Sequence, residues 1–404
     1  MSKISDGLAP DLRGISLLTI DGILRLTDLV EAVHHNIAVA PGILGREQRG
    51  PTRGITGFVY RSIRQVAWLA GHGLDHLLAH VEPRLGAGGP WPGREAVLAT
   101  LNGVVGDHLA ESGNPLAIPM RLRRDGRPLR AEAPAEAIAR PGGKLVVLAH
   151  GLCMNDLTWN RQGHDHGAAL ARDLGATPIY LHYNTGRHIS TNGRAFADVL
   201  EALVTRWPAP VKELVLVGHS MGGLVSRSAC HYGARAGHSW LRPLDKLVFL
   251  GTPHHGSPIE RAGNRLTTLL GISPYTAPFA RLGRVRSAGI TDLRYGNLLD
   301  EDWEGHDRFE RPGDPRTPVP LPKGVRCYAM AATTGKSADR RSGKFVGDGI
   351  VPLASALGRH EEPAFDLRFA KSRQWIGYGM SHLDLLNRRE AYEAIRRWLE
   401  ARRR

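Results

Sequence analysis

Cysteine, aromatic residues and long apolar runs are all scarce in this sequence of 404 residues. The three cysteines, Cys153, Cys230 and Cys327, are odd in number and far apart, so they predict reduced thiols and no disulfide framework. A membrane-spanning helix needs about 18 uninterrupted apolar residues, and no stretch provides them. The first residues also lack the charged start, apolar block and cleavage site of a secretory signal. We therefore expect a cytoplasmic protein.

Acidic residues are outnumbered, because 39 Asp and Glu face 53 Lys and Arg, and the formal net charge is +14. A surplus of basic residues can bind nucleic acid or an anionic membrane surface. However, aromatic residues make up only 6% of the chain and are not interleaved with the basic clusters. The sequence also lacks zinc-ligand, RNP and helix-turn-helix patterns. We expect no nucleic-acid partner and attribute the charge to an arginine-rich surface.

Two stretches in the first quarter of the chain have the apolar spacing of amphipathic helices, at residues 15–33 and 55–81. Gly71 and Gly73 are expected to interrupt the second. Together with a third helical pattern at residues 94–109, they predict an N-terminal helical extension over residues 1–113. Two interpretations remain open for it. The helices form an accessory layer packed on the main domain, or they form an arm that contacts a membrane surface or a partner.

Residues 114–404 alternate between apolar runs and helical patterns, which is typical of a catalytic α/β domain. Asp125-Gly126 joins two short runs into a predicted hairpin. Continuous apolar runs predict buried parallel strands at residues 144–149, 177–183, 213–217, 246–250 and 325–331. Helical patterns lie near residues 163–174, 193–206, 220–236 and 383–403. The alternation predicts an α/β fold, a three-layer sandwich around a mostly parallel sheet.

The stretch at residues 256–324 breaks this alternation. It contains a helical piece at residues 260–270, followed by irregular sequence rich in proline and arginine. Insertions of this length in a compact domain are usually functional or disordered. We interpret it as a lid or cap over the functional site.

The strongest motif follows the run at residues 213–217, where the sequence continues Gly218-His219-Ser220-Met221-Gly222. A Gly-x-Ser-x-Gly pattern between a strand and a helix is typical of a nucleophile elbow. The serine on such an elbow is forced into a strained backbone conformation, and glycines two residues away leave room for the turn to close. The motif therefore predicts that Ser220 is a nucleophile.

A serine hydroxyl is a poor nucleophile at neutral pH, so it needs a histidine base and a carboxylate that orients the histidine. On such a sheet the acid and then the histidine follow the serine in the chain. Asp348 is the candidate acid, because it lies between two glycines in the loop after the last predicted strand. We prefer it to Asp339, which lies among basic and small residues, and to Asp366, which lies in a possible strand.

The candidate base is His382, which lies after the last predicted strand and directly before the final helix. His360, flanked by charged residues, is expected to be a solvated loop residue. The reaction also needs donors for the developing oxyanion. We expect them to be the backbone N–H groups of Met221, at a helix N-terminus, and of Leu152, in the loop that follows the first parallel strand.

These motifs, with Leu250-Gly-Thr-Pro-His-His-Gly-Ser257 and Gly347-Asp-Gly-Ile-Val-Pro352, resemble bacterial serine lipases and esterases of the α/β-hydrolase superfamily, including PGAP1-like members. The resemblance covers residue 144 to the end of the chain and implies the α/β-hydrolase fold. It also implies a substrate pocket formed by His150, Gly151, His219, Thr252, Pro253 and His254.

Some relatives bind a structural metal. Here, His164-Asp165-His166 lacks a fixed set of partners, so we interpret it as an exposed polar loop and predict neither metal nor cofactor.

The sequence thus predicts a carboxylic ester hydrolase with a hydrophobic or lipid substrate. Two alternatives remain open. An acyltransferase or amidase would use the same three residues, and a non-catalytic binding or membrane-docking protein would keep only the scaffold.

Overall fold

The computed structural model describes residues 10–22, 24, 93–130, 132–136, 138, 141–257, 286–305, 314, 316–335 and 347–401. The chain divides into two compact units, Met1–Ala117 with Ala262–Ser287 and Ile118–Arg261 with Ala288–Arg404. Among the described residues, no helix is long and apolar enough to cross a membrane. The predicted boundary at residues 113 and 114 and the predicted lid remain predictions.

Two described helices belong to the first unit, α1 at residues 10–22 and α2 at Arg94–Glu111. The buried carboxylate of Asp11 accepts hydrogen bonds from Nε and Nη2 of Arg94, at 2.6 and 2.7 Å. A two-pronged, charge-assisted contact of this kind holds both side chains in one orientation. The rest of the amphipathic pattern at residues 15–33, and all of residues 55–81, lie outside the described residues. The membrane-arm and packed-layer interpretations both stay predictions.

The second unit contains one eight-stranded sheet with the strand order β2-β1-β4-β3-β5-β6-β7-β8. Strands β3 to β8 pair in parallel, whereas β1 is antiparallel to both β2 and β4. The hairpin expected at Asp125-Gly126 joins β1 and β2. The strands are β1 (Arg121–Arg124), β2 (Arg127–Pro128), β3 (Lys144–Ala149), β4 (Thr177–His182), β5 (Glu213–His219), β6 (Leu244–Leu250), β7 (Arg326–Thr333) and β8 (Gln374–Tyr378).

Helices cover both faces of this sheet, as the alternation of elements predicts. They are α3 (His166–Leu174), α4 (Ile189–Thr205), α5 (Met221–Arg235), α6 (Ala288–Asp292), α7 (Leu353–Ala356) and α8 (Arg389–Glu400). Successive side chains of a strand point to opposite faces. Val147 of β3 accordingly belongs to the apolar cluster that contains Phe196 of α4, whereas Leu148 belongs to the cluster that contains Ile395 of α8. Each fully buried aliphatic side chain contributes about 1.5–3 kcal/mol. The predicted three-layer α/β fold is confirmed.

Three local features differ from the sequence-based expectation. Strand β8 was not predicted, because it has only five residues, includes Gly377 and is partly buried, and so it lacks a continuous apolar run. The final helix begins at Arg389, because His382–Leu386 form a separate 3-10 turn. Asp366 does not lie in a strand. Its Oδ1 accepts a hydrogen bond from the N–H of Arg368 at 3.2 Å, which forms a local turn.

Part of the predicted lid segment lies within the described residues, and its Asp292 makes hydrogen bonds at the N-terminus of α4. The Asp292 carboxylate accepts a hydrogen bond from the backbone N–H of Ile189 at 2.8 Å and lies 3.1 Å from Nδ1 of His188. The His188 ring stacks on Trp303 at a centroid distance of 3.8 Å. The helical piece predicted at residues 260–270 lies outside the described residues, so the lid itself remains a prediction.

Candidate active site

Ser220 lies on the turn between β5 and α5 and has φ 54° and ψ −124°. A positive φ at a residue other than glycine is strained, and such strain persists only where the surrounding structure enforces it. The Ser220 N–H donates a hydrogen bond to the carbonyl of Leu250, at the end of β6, at 2.8 Å. This backbone has the geometry expected of a nucleophile elbow.

The glycines around Ser220 allow the start of α5 to approach its neighbours. A Cβ on Gly222 would lie 2.2 Å from the carbonyl oxygen of Ala149, at the end of β3. A Cβ on Gly218 would lie 2.5 Å from Cα of Gly223. Both obstacles are backbone atoms of the sheet and the helix, which cannot move aside cheaply. The spacing of the glycines is therefore a steric requirement of the turn.

We expect Gly222→Ala to disrupt the elbow. The new methyl group would push α5 away from Ala149, so the variant should unfold about 2–4 kcal/mol more easily and should lose ester turnover with its elbow geometry. Urea unfolding followed by circular dichroism measures the first effect. Gly142→Ala is the matched control, because its Cβ would meet Thr177 Oγ1 only at 3.7 Å. Equal stability of the two variants would contradict this account.

Asp348 and His382 form a buried pair. His382 Nδ1 lies 2.6 Å from Asp348 Oδ2, and the His382 N–H donates to the Asp348 carbonyl at 3.0 Å. The other carboxylate oxygen, Oδ1, accepts hydrogen bonds from the N–H groups of Ile350 and Val351, at 3.0 and 2.8 Å. A carboxylate can only accept, so the imidazole proton is on Nδ1. The lone pair of the ring is then on Nε2.

The His382 ring lies next to the elbow. A Cβ on Gly251 would be 3.0 Å from both Nδ1 and Cε1 of His382, and Gly251 directly follows the residue that accepts the Ser220 N–H. His219, the residue before Ser220, has its ring centroid 4.7 Å from that of His382, and its Nε2 lies 3.3 Å from the His382 carbonyl. The structure thus brings Ser220, Asp348 and His382 to one edge of the sheet. Their catalytic roles remain predictions.

The hydrogen bonds of the loop after β3 indicate which way the Leu152 N–H points. The carbonyl of Gly151 lies 3.0 Å from Nδ1 of His150 and accepts the N–H of Met154 at 3.3 Å. Because the C=O and N–H of a trans peptide point in opposite directions, the Leu152 N–H faces away from these donors. A Cβ on Gly151 would lie 3.0 Å from Cβ of Ser220, so the loop lies beside the serine.

The second predicted donor, Met221 N–H, is in the first turn of α5. The first N–H groups of a helix have no acceptor within that helix. They also carry the positive end of the helix dipole, which favours negative charge nearby. The N–H groups of Leu152 and Met221 both belong to segments beside Ser220, and their role as oxyanion donors remains a prediction.

A buried polar cluster lies behind this loop, and sequence reasoning missed it. Asp156 Oδ1 accepts a hydrogen bond from Arg123 Nη1 at 3.2 Å and lies 3.0 Å from Nδ1 of His182. Burial by itself would raise the pKa of Asp156, but the contacts with His182 and Arg123 outweigh it and lower that pKa. The only signal in the sequence is a histidine at the end of an apolar strand, which is too common to identify a cluster.

The residues predicted to form the substrate pocket are all buried. Thr252 packs against Gly223, since a Cβ on that glycine would lie 2.0 Å from Thr252 Oγ1. His254 packs edge-on against Phe249 at a centroid distance of 4.7 Å. Their contact with substrate remains a prediction. The six residues are His150, Gly151, His219, Thr252, Pro253 and His254.

The prediction that His164-Asp165-His166 forms an exposed polar loop is wrong for His166. This residue is fully buried at the start of α3. Asp165 caps this helix by accepting the Ala168 N–H at 2.8 Å, so the segment is ordered by its role as a helix N-terminus. His166 Nδ1 lies 2.9 Å from Nε2 of His164, and its own Nε2 lies 2.8 Å from the Leu385 carbonyl. These contacts explain the motif without a metal.

Because two buried histidines are neutral in the folded protein, we expect the folded state to lose stability at acidic pH. Burial lowers the pKa of His150 to about 3 and of His166 to about 4, whereas an unfolded chain titrates near 6.5. The unfolded state therefore binds more protons below pH 6.5, and stability falls as the pH drops toward those values. We expect each histidine to cost up to about 2 kcal/mol at pH 5. Urea unfolding at pH 7.5 and pH 5 measures this, and equal unfolding free energies would refute it.

Comparison with known proteins agrees with the fold. Residues 141–312 match the family model described as PGAP1-like alpha/beta domain, whereas no curated protein matches the chain. Among solved structures, the mature form of the Bacillus licheniformis lipase BlEst2 is similar at 17% identity and a TM-score of 0.42. That match covers 64% of this chain and 93% of the lipase.

Two further solved structures are similar at lower identity. For Aspergillus fumigatus lipase B the identity is 12% and the TM-score 0.36, over 63% of this chain and 53% of that one. For Staphylococcus hyicus lipase the identity is 11% and the TM-score 0.35, over 64% of this chain and 95% of that one. The family match over residues 141–312 and the mostly parallel sheet covered by helices together show an α/β-hydrolase fold.

Proposed function

We propose that this protein is a serine hydrolase that cleaves carboxylic esters through an acyl-enzyme on Ser220. One observation carries the proposal. The strained Ser220 lies at the same sheet edge as the buried pair in which His382 Nδ1 and Asp348 Oδ2 are 2.6 Å apart. A strained serine and a carboxylate-oriented imidazole together supply a nucleophile and its base. A binding protein built on this scaffold would need neither.

In the first half of the reaction, Ser220 Oγ attacks the ester carbonyl and Nε2 of His382 takes the hydroxyl proton. Asp348 keeps the Nδ1 proton in place and stabilises the imidazolium that forms. The carbonyl oxygen becomes negative, and the N–H groups of Leu152 and Met221 donate to it. The tetrahedral intermediate then collapses. The bond to the alcohol oxygen breaks, and His382 returns the proton to the departing alcohol.

In the second half, water takes the place of the alcohol. His382 accepts a proton from water as the oxygen attacks the acyl-enzyme, and the same two N–H groups hold the new oxyanion. Collapse breaks the bond to Ser220 Oγ and releases the carboxylic acid. Ser220 recovers its proton from His382. The cycle needs only groups that the chain itself supplies, together with water.

Hydrophobic esters are the proposed substrate class. Two large apolar side chains that lie close in sequence to the predicted acid and base are exposed, Ile350 at 45% and Tyr378 at 41% exposure. Ile350 is two residues from Asp348, and Tyr378 ends β8, four residues before His382. Apolar side chains exposed beside a site favour contact with an apolar ligand. A long acyl chain or a lipid surface would remove both from water.

The proposal is tested with a fluorophosphonate probe and a panel of p-nitrophenyl esters of increasing acyl length. We expect one covalent adduct, located on Ser220 by peptide mass spectrometry, and turnover that rises with acyl length. Failure to label Ser220 in folded protein would overturn the serine mechanism. Labelling with turnover only toward amides, or only when an acceptor alcohol is supplied, would replace ester hydrolysis with amidase or acyltransferase activity.

A further inference from the structure

A tight turn lies in the loop after β3, between Gly151 and Met154. The Gly151 carbonyl accepts the N–H of Met154 at 3.3 Å, so Leu152 and Cys153 are the two central residues of the turn. A turn that needs a positive φ at its second central residue usually has glycine or asparagine there. Here Cys153 holds that position with φ 57°. The turn that contains Leu152 is therefore strained, and contacts from outside it must keep it in this conformation.

A side chain from another segment makes such a contact. Oγ1 of Thr185 accepts a hydrogen bond from the Cys153 N–H at 3.2 Å, and Thr185 is only 1% exposed. Thr185 lies three residues after the end of β4, and β4 pairs in parallel with β3. The loops that follow these two strands leave the sheet at the same edge. The pairing of β3 with β4 thus brings the Thr185 hydroxyl to the turn.

This hydrogen bond bears on the direction of the Leu152 N–H. The Cys153 N–H belongs to the peptide group after Leu152, and Thr185 holds that group. The Leu152 N–H belongs to the peptide group before it, whose Gly151 carbonyl lies 3.0 Å from Nδ1 of His150. Because each peptide group is planar, holding both of them fixes φ and ψ of Leu152. The orientation of the Leu152 N–H therefore depends on Thr185.

Other contacts hold the start of the loop without Thr185. Oη of Tyr183 donates a hydrogen bond to the His150 carbonyl at 2.8 Å, and the two rings stack at a centroid distance of 4.4 Å. Neither contact reaches the Cys153 N–H. Loss of the Thr185 hydroxyl should therefore disturb the turn and leave the loop attached to the sheet.

We propose that Thr185 is a positioning residue, which holds the Leu152 N–H in the orientation that an oxyanion donor needs. The inference rests on the proposed hydrolase function, because that function assigns the Leu152 N–H to the developing oxyanion. Thr185 acts only through the turn and does not touch the substrate. Without its acceptor oxygen the strained turn relaxes, and the Leu152 N–H no longer points at the reacting carbonyl oxygen.

The first test is Thr185→Val, which removes the acceptor and keeps the shape of the side chain. We expect kcat toward p-nitrophenyl esters to fall about 10-fold to 100-fold with little change in KM, because the donor acts mainly in the transition state. Thr185→Ser retains the acceptor and should restore kcat. Thr177→Val is the matched control, because Thr177 is also buried and lies at the opposite end of β4, and it should keep full activity.

Inhibition by a trifluoromethyl ketone separates a positioning role from a general loss of structure. Ser220 Oγ adds to the ketone carbon, the hydroxyl proton passes to His382, and the carbonyl oxygen becomes an oxyanion. In Thr185→Val, the inhibition constant should rise by the same factor as kcat falls. A fall in kcat with an unchanged inhibition constant would mean that fewer molecules are folded and active, and would overturn the proposal.

Unchanged kcat and an unchanged inhibition constant in Thr185→Val would overturn it as well. In that case, fluorophosphonate labelling of Ser220 in the unsubstituted protein would leave the hydrolase proposal standing. Absence of that label would instead overturn the proposed function, and the role of Thr185 with it.

Discussion

Ser220→Ala is expected to lower kcat toward p-nitrophenyl esters by about 10,000-fold to 1,000,000-fold, while leaving the fold intact. The hydroxyl is the only group lost. Alanine retains the Cβ and the backbone hydrogen bond from residue 220 to Leu250, so the elbow should persist. Stopped assays with the purified variant measure turnover, and circular dichroism with urea unfolding measures stability.

The control for this prediction is Ser372→Ala, a change of the same size at an exposed serine of a 3-10 turn. It should keep full activity. If Ser220→Ala retained turnover within about tenfold of the unsubstituted protein, the nucleophile would have to be another group. If both variants lost activity with loss of stability, the effect would be one of folding.

Asp348→Asn is expected to reduce kcat by about 10,000-fold with little change in the fold. The N–H groups of Ile350 and Val351 donate to Oδ1 of Asp348, so they hold the amide oxygen of asparagine in that position. The amide nitrogen must then face His382. As a donor it favours the tautomer with the proton on Nε2, which cannot accept a proton from Ser220.

The matched control is Asp366→Asn, because Asp366 is the rejected candidate acid and its carboxylate accepts a hydrogen bond within a local turn, from the N–H of Arg368. Steady-state kinetics of both variants measure the difference, and the nitrogen shifts of the His382 ring report the tautomer directly. Equal losses in the two variants would contradict the assignment. An unchanged tautomer in Asp348→Asn would contradict the mechanism given for its loss.

Much of the architecture could be predicted because it depends on local patterns. The run at residues 145–149 is apolar at every position, which is typical of a strand covered on both faces. The glycine at 218 is required by the elbow itself, because a Cβ there would meet Gly223, whereas the glycine at 222 leaves room for the neighbouring strand β3. The order of serine, acid and histidine along the chain follows from strand order, since loops at one edge of a parallel sheet meet in space.

Contacts between distant segments could not be predicted in this way. Asp156 meets Arg123 and His182 only because β1 pairs with β4 at the edge of the sheet. The short strand β8 carries too little apolar sequence to be recognised, yet its pairing with β7 positions the loop that holds His382. His166 is buried because the turn after His382 packs on it, and no local signal anticipates that contact.

The stretch around Ser220 illustrates which features can be predicted from the sequence and which depend on tertiary contacts. The parallel α/β fold, the elbow and the candidate acid and base could be predicted from the sequence, because apolar periodicity, glycine spacing and the order of residues along the chain can be read without knowing the tertiary contacts. The folded structure shows which carboxylate oxygen faces His382 and how the Gly151 carbonyl orients the Leu152 N–H. Hydrogen-bond direction and desolvation depend on groups far apart in the chain, so they exist only after folding.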